Sequence, residues 1–510
     1  MRSISLALGL VLLGAADAAA QNVYFGNLHA HTAYSDGTGT PAEAFAAARS
    51  AGLDFLAVTE HNHDKADGSK TRKDGVIIAT RPELYAGSRR SLLAASDKSN
   101  RSAGFVALYG QEVSTISSGN HINVFDVAEV IRAPNGDVPA LLAWSSAHPA
   151  SSGGSAVMQF NHPRGGVGEK KDYGKDDYAT ERDWVAALDP HVELIEILNA
   201  PALKDGTGFR AHHHEREYFG YLNLGFHLAP SVGHDNHYTN WGRSTDARVA
   251  LVADRLTKVD LLAAMASRHA YASEDKNLRV IFRANGGLMG DIVPPPAPGA
   301  ELDLQVEISD ADEPDATYRI DVFLDEPGDA AARAPVESFQ HAGDTTGPLR
   351  LDGVRFTQPD AYVLLRITQA GVLEDPDHED EDDRVWTAPV WFEFGTGPLP
   401  PPPPPPPPLQ IASLLPNPSG DDVSHEAAVV RNVGMDAIDL TGWRLRDLTQ
   451  NTWEIGPGVL AAGATLTVVR QGQAMSMNNG GDTIELLDPA GQPVQSLVYG
   501  AVSEGQVVEP

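Results

Sequence analysis

Cysteine is absent from all 510 residues. Its absence excludes disulfides, thiolate metal sites and cysteine nucleophiles together. Any metal centre in this chain must be built from histidine and oxygen ligands. Basic side chains are scarce, 38 against 69 acidic ones, for a formal net charge of −31. A field of that sign repels nucleic-acid backbones and anionic membrane surfaces at long range. A polymeric nucleic-acid partner is therefore disfavoured. No stretch reaches the roughly 20 apolar residues that a membrane-spanning helix needs.

An apolar stretch over residues 4–16 follows Arg2 and precedes Ala18-Ala19-Ala20. A short positive region, an apolar run and a small-residue cleavage site read as a secretory signal peptide over residues 1–20. The mature chain is expected to begin near Gln21. It is expected to be secreted, as an extracellular, periplasmic or cell-surface protein.

The length exceeds what one core supports. Residues 400–408 are all proline, an extended spacer that can form neither helix nor ladder. A softer boundary lies at Pro294-Pro295-Pro296. The expected division is 21–290, a middle domain at 291–395, a linker at 396–408 and a C-terminal module at 409–510. In the first part, strands are predicted at 24–32, 53–59, 105–109, 122–125, 157–160, 192–198 and 228–232. Helices are predicted at 41–52, capped by Thr40, and at 258–268, capped by Thr257. Short apolar strands interleaved with helices point to a parallel sheet or a βα barrel. The middle segment shows strands at 302–306, 318–322 and 362–365 without helical periodicity, a small β-sandwich. The C-terminal module also reads as all-β, with strands at 427–431, 465–469 and 483–487. The acidic run at 374–383 lacks the spacing of an EF-hand and reads as a solvated loop.

Chemistry-bearing residues collect at the ends of the strands. His29 and His31 sit two apart, so a period-two strand sends both from one face. Asp235 and His237 repeat that spacing. His61, Glu112 and His162 each follow a predicted strand, Asp36 lies in the turn after the first, and His121 precedes one. A lone histidine is ordinary, but imidazoles and carboxylates at successive strand ends converge in space, where βα barrels keep their sites. The tract His212-His213-His214 is set aside as solvated.

Seven ordered stretches carry a family resemblance. They are Leu28-His29-Ala30-His31-Thr32, Ser35-Asp36-Gly37, Thr59-Glu60-His61-Asn62, Gly110-Gln111-Glu112, Gly119-Asn120-His121-Ile122-Asn123-Val124-Phe125, Asn161-His162-Pro163-Arg164 and Gly233-His234-Asp235-Asn236-His237. Together they resemble the motifs of the PHP (polymerase and histidinol phosphatase) superfamily, nearest its CehA/McbA-like metallohydrolases. The resemblance implies a distorted seven-stranded βα barrel holding two or three divalent ions of Zn, Mn or Fe. His29, His31, Glu112 and Asp235 would hold one ion. Glu112 would bridge to a second, held by His121 and His162. Asp36, His61 and His237 would hold the third. Glu112, Asp235, Arg164 and Glu60 are the implied catalytic group, with Glu60 acting from behind the ligands. Arg164 and Arg243 are candidates for gripping substrate oxygens.

Ions bridged by a carboxylate lower the pKa of a shared water toward neutrality. The expected activity is hydrolysis of small phosphorylated or nucleotide-like molecules by that hydroxide. Carbamate, amide or ester hydrolysis is the alternative chemistry, and a surface-binding protein with structural metals is the non-catalytic one. The C-terminal stretches Val429-Val430-Arg431-Asn432-Val433-Gly434, Asp439-Leu440-Thr441-Gly442-Trp443-Arg444-Leu445-Arg446-Asp447 and Gly480-Gly481-Asp482-Thr483-Ile484-Glu485-Leu486-Leu487-Asp488 resemble the lamin-tail domain. That resemblance implies an immunoglobulin-like sandwich that binds a surface or a protein partner, with Trp443 in its core.

Overall fold

Alternation of strand and helix runs through the first half of the chain. The computed structural model describes residues 21–508 except 63–77, 79, 114–119, 135, 164–172, 203–210, 326–333, 359–360, 371–382, 395–408, 434–436, 450, 490 and 492. The expected signal peptide, Arg164, the proline run and nearly all of the acidic run lie outside the described residues. Strands β1 (Asn22–Asn27), β2 (Phe55–Asn62) and β3 (Val106–Val113) are mutually parallel. Strand β4 (His121–Phe125) is antiparallel to β3 and to β5 (Met158–Asn161). Strand β6 (Val192–Asn199) is parallel to β5 and carries the short edge strand β7 (His212–His213). Strand β8 (Ala229–Gly233) adds in parallel to β6. Beyond β8 the chain meets the end of β1 at a parallel bridge between Ala30 and Asn236, where His31 N donates to Asn236 O at 2.9 Å. Every residue of β3, β5 and β8 is buried, which is why these strands read as continuous rather than alternating patterns.

Helix α1 (Pro41–Ser50) is set by local chemistry. Thr40 Oγ1 accepts from Glu43 N at 3.3 Å, and Glu43 Oε2 accepts from Thr40 N at 2.7 Å, with Pro41 leading the first turn. Gly52, at φ 87°, stops it. Ala44, Phe45 and Ala48 form its buried face.

Strand β9 (Arg248–Ala253) pairs antiparallel with β1 and with β10 (Ala270–Ser273). From there the sheet continues into the middle segment: Asp383–Thr387 pairs with β10, Tyr271 opposite Thr387. All described elements of the middle segment are strands, the longest pair being Thr317–Asp325 and Tyr362–Ala370. Leu251 and Tyr271 share one apolar core with Tyr318, Leu365 and Val385. His227 ties the two parts again, with Nδ1 2.9 Å from Asp189 Oδ2 and Nε2 2.8 Å from Glu393 Oε1. The architecture is thus a large mixed sheet with several small antiparallel sheets, and the middle strands extend the site-bearing sheet instead of standing apart from it.

The C-terminal module has its own core, built on Leu409, Leu445, Trp453 and Tyr499. Trp443 lies in that core, 6% exposed. One sheet joins Leu409–Leu415, Ala427–Asn432 and Thr465–Val469, and a second joins Arg444–Arg446, Thr452–Glu454, Asp482–Leu487 and Pro493–Tyr499. Among the described residues, no helix is long and apolar enough to cross a membrane. Because the apolar cores on the two sides of the proline run are separate, a chain ending at Phe394 should fold, melt as one unit and keep full metal content and turnover. Comparison of melting, metal content and turnover with the full chain checks this. A folded truncation stripped of most turnover would refute it.

Candidate metal centre

The expected strand at 24–32 is shorter than anticipated and ends at Asn27, whose Oδ1 accepts from His29 N at 2.9 Å. The Ala30 bridge preserves the local extended alternation, so His29 and His31 still converge, with their Nε2 atoms 3.1 Å apart. His61 lies within β2 rather than after it, and parallel register sets it opposite Glu112, which lies within β3. His121 opens β4. His162 follows β5 and Asp235 follows β8, both with left-handed backbone, φ 30° and 42°. Non-glycine residues rarely adopt that conformation without firm support. For His162, support comes from its N–H donating to Glu196 Oε2 at 2.6 Å.

Five imidazoles surround the Glu112 carboxylate. His61 Nδ1 is 2.7 Å away and His121 Nδ1 2.8 Å. His29 Nε2 and His162 Nε2 are each 3.2 Å away, and His31 Nε2 is at 3.3 Å. Asp235 Oδ1 lies 3.2 Å from His31 Nε2 and 3.6 Å from His29 Nε2. Asp36 Oδ1 lies 2.9 Å from His237 Nε2 and 3.5 Å from His61 Nε2. All nine ligand candidates therefore come together. Their donor atoms fall into overlapping groups: His29, His31 and Glu112; His29, His162 and Asp235; His61, Glu112 and His121; and His31, Asp36, His61 and His237. The last group contains His31 in addition to the three residues that the resemblance placed there.

Burial raises the pKa of Glu112, yet His121, His61 and His29 hold it well below the usual carboxylate range. Burial, with His61 and His237, presses His31 down to about 3. His61 moves the other way: against burial, Glu112 holds it up at about 9. Crowded imidazoles cannot all be protonated at once. The facing nitrogens of His29 and His31 require a shared proton or cation, and His31 Nδ1 is buried without a hydrogen-bond partner. Imidazole and carboxylate donors suit Zn, Mn or Fe. This donor set fits a divalent-metal centre.

Residues 402–501 match the family model of the lamin tail domain. No curated protein matches the chain. In form, the chain is similar to a two-domain protein from Bacteroides vulgatus containing a predicted PHP-like metal-dependent phosphoesterase. The two are 13% identical, the match covers 73% of this chain and 96% of that one, and the TM-score is 0.37. It is also similar to an amidohydrolase from Chromobacterium violaceum, 15% identical over 42% of this chain and 87% of that one, with a TM-score of 0.21.

Glu60, expected to act from behind the ligands, is fully buried beside the turn that follows β1. Its carboxylate accepts from Thr32 N at 3.2 Å and from the hydroxyls of Thr32 and Ser35. Those bonds hold the turn that carries Asp36. Burial raises the Glu60 pKa to about 7 against these donors. His234, beside Asp235, is buried, with Nε2 2.8 Å from Ala247 O. Arg243 is exposed and donates to Ser50 Oγ at 2.9 Å. His213 pairs with Glu274 at 2.7 Å, so it belongs to another network.

One residue of the centre escaped the sequence reading. Glu196 Oε1 is 2.7 Å from His29 Nδ1, and Glu196 Oε2 accepts from His162 N and from Asn199 Nδ2 at 3.1 Å. Glu196 thus fixes the tautomer and direction of His29 and the turn of His162. Its signal in the sequence is a carboxylate in the middle of the apolar strand 192–198, where an unpaired charge is costly.

Proposed function

We propose that this chain is a secreted metal-dependent hydrolase of the PHP superfamily, in its CehA/McbA-like branch, acting on phosphate esters of small or nucleotide-like molecules. In this reading β1 to β6 and β8 make the distorted seven-stranded barrel. The observation that carries it is the fully buried Glu112 carboxylate with five imidazole nitrogens within 3.3 Å. Such an arrangement serves a carboxylate shared between ions better than it serves a lone ion pair. His29, His31 and Asp235 would hold one ion with Glu112, His121 and His162 a second, and Asp36, His61 and His237 a third. Divalent ions held there supply an activated water and offset charge on the ester oxygens.

The protein's own groups divide by exposure. His29, His31 and Glu112 are fully buried, whereas the Asp36, Asp235 and His237 side chains are 17%, 21% and 23% exposed. His61 and His121 are also partly open, 13% and 16% exposed, so substrate would approach the face formed by these five residues. Burial opposes ionisation of Asp235, but His29 and His31 hold it below the usual carboxylate range. It stays ionised at neutral pH, the form that can ligate a metal ion. Glu196 and Glu60 act through the side chains they hold.

The test joins metal analysis to matched substrates. The purified mature protein should contain about two to three divalent ions, and a strong chelator should abolish hydrolysis. A phosphate ester should be cleaved faster than a carboxylic or carbamate ester with the same leaving group. Less than one ion per chain with chelator-resistant activity would sink the metal centre. A clear preference for the carbonyl substrate would replace phosphate with carbamate, amide or ester chemistry.

A further inference from the structure

A second group of carboxylates lies where the site-bearing sheet meets the middle strands. Asp275 is in the loop after β10, and Asp310 and Glu313 lie between strands Leu304–Ser309 and Thr317–Asp325. One oxygen from each can be chosen so that all lie within 4.8 Å of one another. Asp275 and Asp310 are fully buried. Their backbone surroundings are orderly: Asp275 Oδ1 accepts from Asn277 N at 2.6 Å, and Asp310 Oδ1 from Asp312 N at 3.0 Å and Glu313 N at 3.2 Å. Lys276 reaches Asp312 at 2.8 Å.

Gln369 adds an independent observation. It is fully buried, its Nε2 donates to Asp310 Oδ2 at 3.0 Å, and its Oε1 has no hydrogen-bond partner. The amide head is therefore held at the cluster with an acceptor unused. Asp275 Oδ2 and Glu313 Oε2 are likewise buried acceptors without a hydrogen-bond partner. Buried carboxylate oxygens gathered from two loops, beside an amide with an unused acceptor, call for a cation, since buried carboxylates without one repel and lose hydration. An all-oxygen donor set selects a hard ion and disfavours the imidazole-seeking metals of the other centre.

We infer that Asp275, Asp310, Glu313 and Gln369 form a calcium-type cation site that clamps the loop after β10 to the middle strands. Calcium accepts six to eight oxygens at flexible geometry, so backbone carbonyls or water complete the shell. The clamp joins parts of the chain that also share the sheet pairing of β10 with Asp383–Thr387. Without a cation the carboxylates repel one another: burial, then Asp310, raises both Asp275 and Glu313 from the usual carboxylate range.

The two states are separated by titrating the chelator-stripped full mature chain with calcium at neutral pH, by calorimetry and by melting. The wild type should take up calcium at the cluster and melt at least about 2 °C higher at saturation. Glu112→Gln, altered only at the other centre, should keep this calcium response. Glu313→Gln should lose it, and should melt higher than the wild type in calcium-free buffer because one repelling charge is gone. Asp275→Asn gives the same reading should Glu313→Gln fold poorly. No calcium uptake by the wild type, or equal uptake by the Glu313→Gln and Asp275→Asn proteins, would overturn the site.

Discussion

Glu112→Gln should lower turnover by at least about a thousandfold, some 4 kcal/mol in the barrier, and reduce bound metal. The amide keeps the shape of the carboxylate and removes its charge. Five imidazole nitrogens face that one group within 3.3 Å, so its charge is the common counterweight for every ion the histidines could hold. Two close dications repel, and a neutral bridge cannot offset them. His237→Ala should lose less, because His237 faces Asp36 at 2.9 Å and Asp235 at 3.6 Å and leaves the Glu112 ring intact. Glu60→Gln should lose least, on the order of ten- to a hundredfold, since it acts through the turn at Thr32 and Ser35. Metal content and turnover of the three proteins decide the order. Near-normal activity with full metal in Glu112→Gln would remove the bridge from the account. Greatest damage from Glu60→Gln would move Glu60 into direct contact with the ions.

Gly233→Ala should also be harmful, although it adds only one methyl group. A Cβ at Gly233 would stand 1.8 Å from Glu196 Oε1 and 2.4 Å from Glu196 Cδ. Glu196 cannot simply swing aside. It is held by His29 Nδ1, His162 N and Asn199 Nδ2 at 2.7, 2.6 and 3.1 Å. Displacing it frees the His29 ring and unpins the left-handed turn at His162. We expect metal affinity to fall about 10- to 100-fold, with a comparable loss of turnover, as is typical when the partner of a ligating histidine is removed. Glu196→Gln, which keeps the shape and weakens the acceptor, should fall between the wild type and Gly233→Ala. Chelator competition measures the affinity, and a melting curve shows whether the fold survives. Wild-type affinity in Gly233→Ala would mean that Glu196 does not govern His29.

Much of the centre was legible because its signals are local. Apolar runs mark the strands, and the period-two spacing of His29 with His31 and of Asp235 with His237 marks chelating pairs. Helix α1 is written in Thr40, Pro41 and Glu43, whose hydrogen bonds span only three residues. Trp443 was readable as core for the same reason, lying in a short β pattern whose apolar side must be covered. Glu196 was not legible in the same way. It stands 167 positions from the histidine it orients, and nothing near it in the chain announces that partner. The bond from Arg243 to Ser50 Oγ, 193 positions away, was hidden for the same reason.

The sequence by itself determined which histidines and carboxylates lie on or beside strands and therefore which donors were available to a metal centre. Only the tertiary structure decided how those donors are shared. Parallel register between β2 and β3 sets His61 opposite Glu112, and a slip of one residue would send one of them to the other face. Closure of the sheet at Ala30 and Asn236 brings the Asp235 pair to the His29 pair across some 200 residues of chain. The extension of the sheet from β10 into the middle strands was likewise hidden, because a strand's own residues specify a buried face but not the neighbour that covers its edge. Sequence patterns report short-range periodicity; register and closure depend on packing among distant segments, and these turned separate histidines and carboxylates into one centre.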